Sequence, residues 1–193
     1  MTFPGRPRLV DVPEHNRWLR IYDARFYADG AKFRYFGPHR AGRFDHHPAG
    51  PARRHPHHGV LYATESLRCA VAEAFGDDRW VDPLPSHRLA VIELDRALRL
   101  ADTRGDAAVE LGRPAGALRS RDRALTQQVA RALYDATPAD GISYEGWFTG
   151  DTCVALWERA ADAVRLVDDR SLTDPWVADA VEVAADTLHY ARP

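Results

Sequence analysis

Along residues 17–26, "RWLRIYDARF", apolar and polar positions interleave and the apolar ones are aromatic or β-branched, which predicts a first strand. The short apolar run "GVLYA" (59–63) predicts a second. Ser66 then stands as an N-cap ahead of "LRCAVAEAF", a predicted helix that places Cys69, Ala70, Glu73 and Ala74 on one face. "RLAVIELD" (88–95) has the clearest β-branched pattern, and "RALRLAD" (96–102) continues the sheet. Apolar residues at Leu125, Val129, Ala132 and Leu133 recur at helical spacing within 121–136, in a helix that starts near Asp122. "DGISYE" (140–145) and "TCVALWE" (152–158) read as strands around the aromatic loop "GWFTGD", and "AVRLVDD" as a last strand. Thr173 as N-cap, with Pro175 in the first turn, opens a terminal helix within 173–193. The sum is about six short strands and three helices in mixed order. That predicts an α+β fold, a mixed sheet flanked by helices, rather than the regular alternation of a doubly wound sheet.

Three segments lack such a pattern. Residues 1–16, with their prolines and arginines, read as an irregular arm. Residues 27–59 read as one long loop, and 104–120 give no clear signal. No repeat and no second domain is visible, so the whole chain, 1–193, is taken as one domain with room for a sizeable core.

Composition narrows the function classes. Apolar content is 45% and charged content 28%, ordinary for a globular protein, and the net charge of −2 offers no basic excess for nucleic acid. Positive charge is almost wholly arginine, with Lys32 the sole lysine. The N-terminal residues lack the apolar stretch of a signal peptide, and no run is long enough to span a membrane, so a cytoplasmic protein is expected. Cys69 and Cys153 sit in apolar segments and read as buried thiols. Neither GxGxxG after a strand nor GxxxxGK[ST] occurs, so nucleotide binding by those loops is excluded.

Six of the nine histidines fall in 27–59, among them His55, His57 and His58 within four positions. A metal centre needs donors converging from rigid elements. Here there is no HExxH, no CxxC and no carboxylate at helical spacing to a histidine. The histidine run is therefore expected to be a solvated, flexible loop, with no metal assigned to it.

One ordered set of features is more specific. An arginine in an early strand ("WLRIY"), then "AGRFD", then "VLYAT" with a short turn and a Glu-bearing helix ("AVAEAF"), a later helix with Gln127, and finally "DGISY…CVALWERA" resembles the RES-domain family over residues 17–168. The resemblance implies a fold similar to ADP-ribosyltransferases. It implies a toxin that degrades NAD, neutralised by an Xre-like antitoxin. Residue by residue, Glu73, Arg20 and Ser120 are the catalytic candidates, and Arg43, Tyr62, Ser143 and Trp147 the substrate-binding ones. Where many relatives carry Y-x-S, this chain has "SYEGWF", with Gly146 at the serine position. The family's serine role is left to either Ser120 or Ser143.

Those residue types suit scission of the nicotinamide–ribose bond. Nicotinamide departs neutral, so acid catalysis is of little use; positive charge on the ribose must be stabilised instead. Glu73 would do this, and would orient a nucleophile. Arg20 and Arg43 would fork onto the pyrophosphate. Tyr62 would offer a ring face to nicotinamide and a hydroxyl to ribose, and a serine hydroxyl would fix the pose. Trp147, in the aromatic loop, would be a lid over nicotinamide. NAD+ is then a substrate and no cofactor is expected. Water or inorganic phosphate would be the nucleophile, giving a glycohydrolase or a phosphorylase. An ADP-ribosyltransferase acting on a macromolecule and a non-catalytic binding module are the competing readings, and a homodimer is left open.

Overall fold

The structure, a computed structural model, describes residues 6–39, 42–114, 116–120 and 122–193. An eight-stranded sheet runs in the order β1-β7-β8-β9-β5-β2-β6-β10. Its strands are β1 (Leu9–Val12), β2 (Arg17–Asp23), β5 (Val60–Thr64), β6 (His87–Leu94), β7 (Leu98–Asp102), β8 (Gly141–Glu145), β9 (Thr152–Trp157) and β10 (Val164–Ser171). A separate two-stranded ribbon pairs β3 (Phe36–Gly37) with β4 (Arg53–Arg54). Neighbours in the large sheet pair antiparallel except β7 with β8, so the sheet is mixed. Four helices flank it: α1 (Leu67–Phe75), α2 (Ala107–Glu110), α3 (Arg123–Ala136) and α4 (Pro175–Leu188). The expected α+β class holds. Among the described residues no helix is long and apolar enough to cross a membrane.

Strand alternation decides which side chains reach which layer. Val60, Ile142, Tyr144, Cys153, Ala155 and Trp157 pack under α3 through Val129, Ala130 and Leu133. The intervening residues Leu61, Ala63, Val154 and Leu156 join Trp18, Ile92, Leu94 and Leu100 on the opposite side. A third cluster joins α1 to α4 through Val71, Val177, Val181 and Ala185.

Several expectations are corrected. The first arm is not irregular throughout: Leu9–Val12 pairs with Leu98–Ala101, completing one sheet edge. The first strand ends at Asp23, three residues early. The terminal helix is capped by Asp174, which accepts from the Trp176 amide, and Thr173 bonds Ser171 instead. The featureless 104–120 contains α2 and a single 3-10 turn at Ala117–Arg119.

The 27–59 segment is the largest correction. His46 and His47 are fully buried and His55 nearly so, while His57 stays exposed. His46 stacks at 4.5 Å from the Tyr134 ring, 5.4 Å from His58 and 5.4 Å from Trp157. Its Nε2 meets Glu158 at 3.1 Å, and Glu158 also takes the Gly59 amide and the Tyr134 hydroxyl. The imidazoles form a wall of the core under α3 by packing on one another, Tyr134 and Trp157; carboxylates hold one nitrogen each of His46 and His47, while His46 Nδ1, His47 Nε2, His55 Nε2 and His58 Nδ1 are buried with no hydrogen-bond partner among the described residues, so the run is packed rather than solvated.

The sheet has one weak seam. β2 and β5 meet only where Leu19 faces Thr64, although each pairs fully with its other neighbour. Thr64 is the last residue of β5, so from that contact the strands part toward Ile21 and Tyr62, where the cleft lies.

Candidate active site

The cleft holds about 300 Å³, at the lower end of the range for small-molecule sites, about 300–1,000 Å³. Its walls come from β2 (Leu19, Arg20, Ile21), the turn at Gly42 and Arg43, β5 (Tyr62, Thr64), α1 (Ala70, Glu73) and the β8–β9 loop (Trp147, Phe148). Five of the seven candidate residues therefore share it: Arg20, Arg43, Tyr62, Glu73 and Trp147.

Glu73 sits where α1 passes the β8–β9 loop. Ser66 caps this helix by accepting from the Cys69 amide at 3.1 Å, as its sequence position predicts. The Glu73 side chain stays open to the cleft, while Oε1 accepts the Trp147 amide N–H at 3.0 Å. Surrounding protein nevertheless desolvates the carboxylate and raises its pKa above the ordinary value. The Trp147 amide and the positive field of Arg43 and Arg123 oppose that rise.

Both arginines are buried, Arg20 8% and Arg43 6% exposed. Arg20 Nη1 donates to the carbonyls of Gly30 at 3.0 Å and Lys32 at 2.9 Å, and its guanidinium lies 4.4 Å from the Tyr27 ring centre. Arg43 donates to the carbonyls of Glu145 at 3.0 Å and Leu118 at 2.6 Å, and its guanidinium lies within 5.3 Å of the Phe44 and Tyr144 ring centres. Burial lowers the Arg20 pKa. Among the described residues neither guanidinium is paired with a carboxylate. Arg34 also lines the cleft but is held by buried Asp45 at 2.7 Å.

Tyr62 presents its ring to the cleft, but its hydroxyl is buried against the turn at Gly42–Asp45 and has no hydrogen-bond partner among the described residues. Burial drives its pKa well up. The ring face is what a ligand meets; the hydroxyl offered to ribose by the sequence reading is turned away.

The two serines lie elsewhere. Ser143 alternates with Tyr144 on β8, so with Tyr144 on the cleft face Ser143 points to the other side. It is 3% exposed and lines a separate depression with Val10, Trp18 and Thr152. Ser120 ends the 3-10 turn, half-buried, where its hydroxyl accepts the Asp122 amide at 3.1 Å. Neither is in the cleft wall.

Residues given no site role by the sequence support the cleft from behind its wall. Gln127 Nε2 donates to the carbonyls of His39 at 3.0 Å and Gly42 at 2.8 Å, tying α3 to the turn that carries Arg43. Asp45 takes Arg34, the amides of His39 and His47, and the His47 ring. Burial would raise its pKa, but these partners hold it far below the carboxylate range. "GRFD" gave a partial signal for Asp45; nothing local marked Arg34 or Arg123.

The arrangement supplies two buried guanidiniums that no carboxylate pairs among the described residues, an aromatic face and a carboxylate with a raised pKa. A small anionic ligand with a flat ring fits that chemistry. The RES domain model matches residues 17–177. Over 87 residues the chain is 33% identical to a probable toxin, y4kH, of Sinorhizobium fredii, an alignment covering 44% of this chain and 68% of that protein. A chain in the crystal structure of the M. tuberculosis MbcT-MbcA toxin–antitoxin complex superposes with a TM-score of 0.60 at 16% identity, over 89% of this chain and 92% of that one, a likeness of fold.

Proposed function

The chain belongs to the RES-domain family, and from that premise we propose that it is the toxin of a toxin–antitoxin pair that destroys NAD+ at the nicotinamide–ribose bond. The observation that carries this reading is the pair of buried guanidiniums, without a carboxylate partner among the described residues, in the same cleft as Glu73. A buried charge left uncompensated is costly, and a pyrophosphate is the dianionic partner that two forked donors suit.

In this reading Arg20 and Arg43 hold the pyrophosphate, fixed by carbonyls and rings so that little reorganisation is needed on binding. Nicotinamide stacks on Tyr62 and lies under the Trp147–Phe148 loop. The C1′–N1 bond breaks, its electron pair leaves with nicotinamide, and the ribose carbon becomes positive. Glu73, fixed by the Trp147 amide, stabilises that carbon and orients the oxygen nucleophile that bonds to it. Ionised Glu73 is the working form. No cofactor takes part; NAD+ is the substrate.

An antitoxin partner follows from the toxin reading. The relatives support it in name: one is a probable toxin and the other a toxin–antitoxin complex.

The test is incubation of the purified protein with NAD+, with and without phosphate, and mass spectrometry of the products. Free nicotinamide with ADP-ribose identifies water as the nucleophile; ADP-ribose-1″-phosphate identifies phosphate. ADP-ribose found on an added macromolecule would replace this reading with a transferase. Intact NAD+ in every arm would leave a binding module.

A further inference from the structure

Behind the cleft floor lies a group that the proposed reaction does not use. Cys69 of α1 and Cys153 of β9 are both free, fully buried thiols, with their sulfurs 3.3 Å apart. Cys69 and Glu73 are one helical turn apart on the same face. One ligand atom each from Cys69, Cys153 and Glu73 lies within 4.8 Å of the others.

The three atoms also converge on one place. A Cβ added at Gly146 would lie 3.0 Å from Cys69 Sγ, 3.1 Å from Cys153 Sγ and 3.2 Å from Glu73 Oε1. Glycine at 146 keeps a side chain out of the space between them. A tetrahedral zinc ion, with Zn–S about 2.3 Å and Zn–O about 2.0–2.2 Å, sets S···S near 3.8 Å and S···O near 3.5 Å. From 3.3 Å the sulfurs must therefore separate by about half an ångström, and the Glu73 oxygen, within 4.8 Å of them, must close toward about 3.5 Å.

We propose that Cys69, Cys153 and Glu73 form a binding site for a thiophilic divalent cation of the Zn2+ class, with its fourth position open to the cleft. Binding displaces the two thiol protons and ties the Glu73 carboxylate to the metal. The metal is inhibitory: it occupies the carboxylate that the reaction needs and puts a positive charge where the ribose cation would form. That consequence rests on the proposed function; the binding does not.

The experiment uses the full chain, stripped of metal by a chelator and titrated with Co2+ and Zn2+. One equivalent of Co2+ is expected to give thiolate-to-metal absorption bands, with about two protons released per metal. Zn2+ should bleach those bands. Cys153→Ala should abolish them, and native mass spectrometry should show that variant metal-free. Zn2+ should suppress nicotinamide release by the unaltered protein, EDTA should restore it, and the Cys153→Ala variant should keep its activity in Zn2+. Absence of stoichiometric binding overturns the site, as does binding that survives Cys153→Ala, which would put the metal on the histidines. If Cys153→Ala does not fold, the Co2+ bands of the unaltered protein decide. If the protein leaves NAD+ intact, the bands and proton release still decide the site, so the two readings fail separately.

Discussion

A guanidinium that gives one nitrogen to two carbonyls keeps its charge but loses its freedom to move, and this is the state of Arg20. Arg20→Lys retains a charge but cannot reproduce the fork. We expect the KM for NAD+ to rise about tenfold or more, equivalent to about 1.4 kcal/mol, with kcat less affected; steady-state kinetics would show it, and an unchanged KM would remove Arg20 from the phosphate role. Glu73 adds a pH dependence. Its pKa is raised, so it protonates at a higher pH than an ordinary carboxyl. The working carboxylate is lost as pH falls through that raised value. The acid limb of kcat/KM should therefore lie above the ordinary carboxylate range; a limb within that range would contradict the assignment. Gly146 is the residue where local rules and site geometry meet. An alanine there would press on two sulfurs and on Glu73 Oε1 at about 3 Å. Overpacking of this kind costs roughly 1–3 kcal/mol, and it should displace the carboxylate, so Gly146→Ala should lower both the melting temperature and turnover.

Among the elements, α1 and α3 were legible in the sequence, because each has an apolar stripe and a side-chain cap: Ser66 for α1 and Asp122 for α3. The short strands were not. β1 has four residues among prolines and arginines, and β3 and β4 have two each; their extended form comes from partners distant in sequence. The end of a helix also depended on detail that spacing does not carry: Thr173 and Asp174 are both good caps, and the chain uses the aspartate. α3 has a second task. Its buried Leu133 anchors the core, while Gln127 holds the turn that carries Arg43. Leu133→Ala should cost about 2–5 kcal/mol of stability, read by denaturant unfolding. Gln127→Ala should spare stability by comparison and raise KM, since it loosens the arginine turn alone. Equal losses of stability in the two variants would refute that division of labour.

For the whole molecule, the histidine wall makes stability depend on pH. Burial lowers the pKa values of His46, His55 and His58, so the folded protein holds them neutral. As pH falls through about 6.5, the unfolded chain takes up protons that the folded one refuses, and stability drops. Glu73 works in the opposite sense, since its raised pKa makes the folded state bind a proton more readily; one carboxyl opposes three imidazoles. Asp45 and Glu158, the latter pulled down to about 2, remain ionised throughout this window. The melting temperature should fall between pH 7.5 and 5.5, and a flat profile would show the wall to be indifferent to protonation. The site as a whole was half legible. Residue types and order brought Arg20, Arg43, Tyr62, Glu73 and Trp147 to attention, but the cleft itself arises where β2 and β5 part after one residue pair, which no local pattern encodes. The two serines were chosen from order along the chain, and the strand alternation that turns Ser143 away from Tyr144 places it outside the cleft. The most direct measurement is nicotinamide release from NAD+ by the unaltered protein and by Glu73→Gln, with NAD+ binding to the variant measured by calorimetry. Release by the first, none by the second and retained binding in the second are the expected results. Equal release by both, or none by either, would contradict an NAD+-cleaving site built on Glu73.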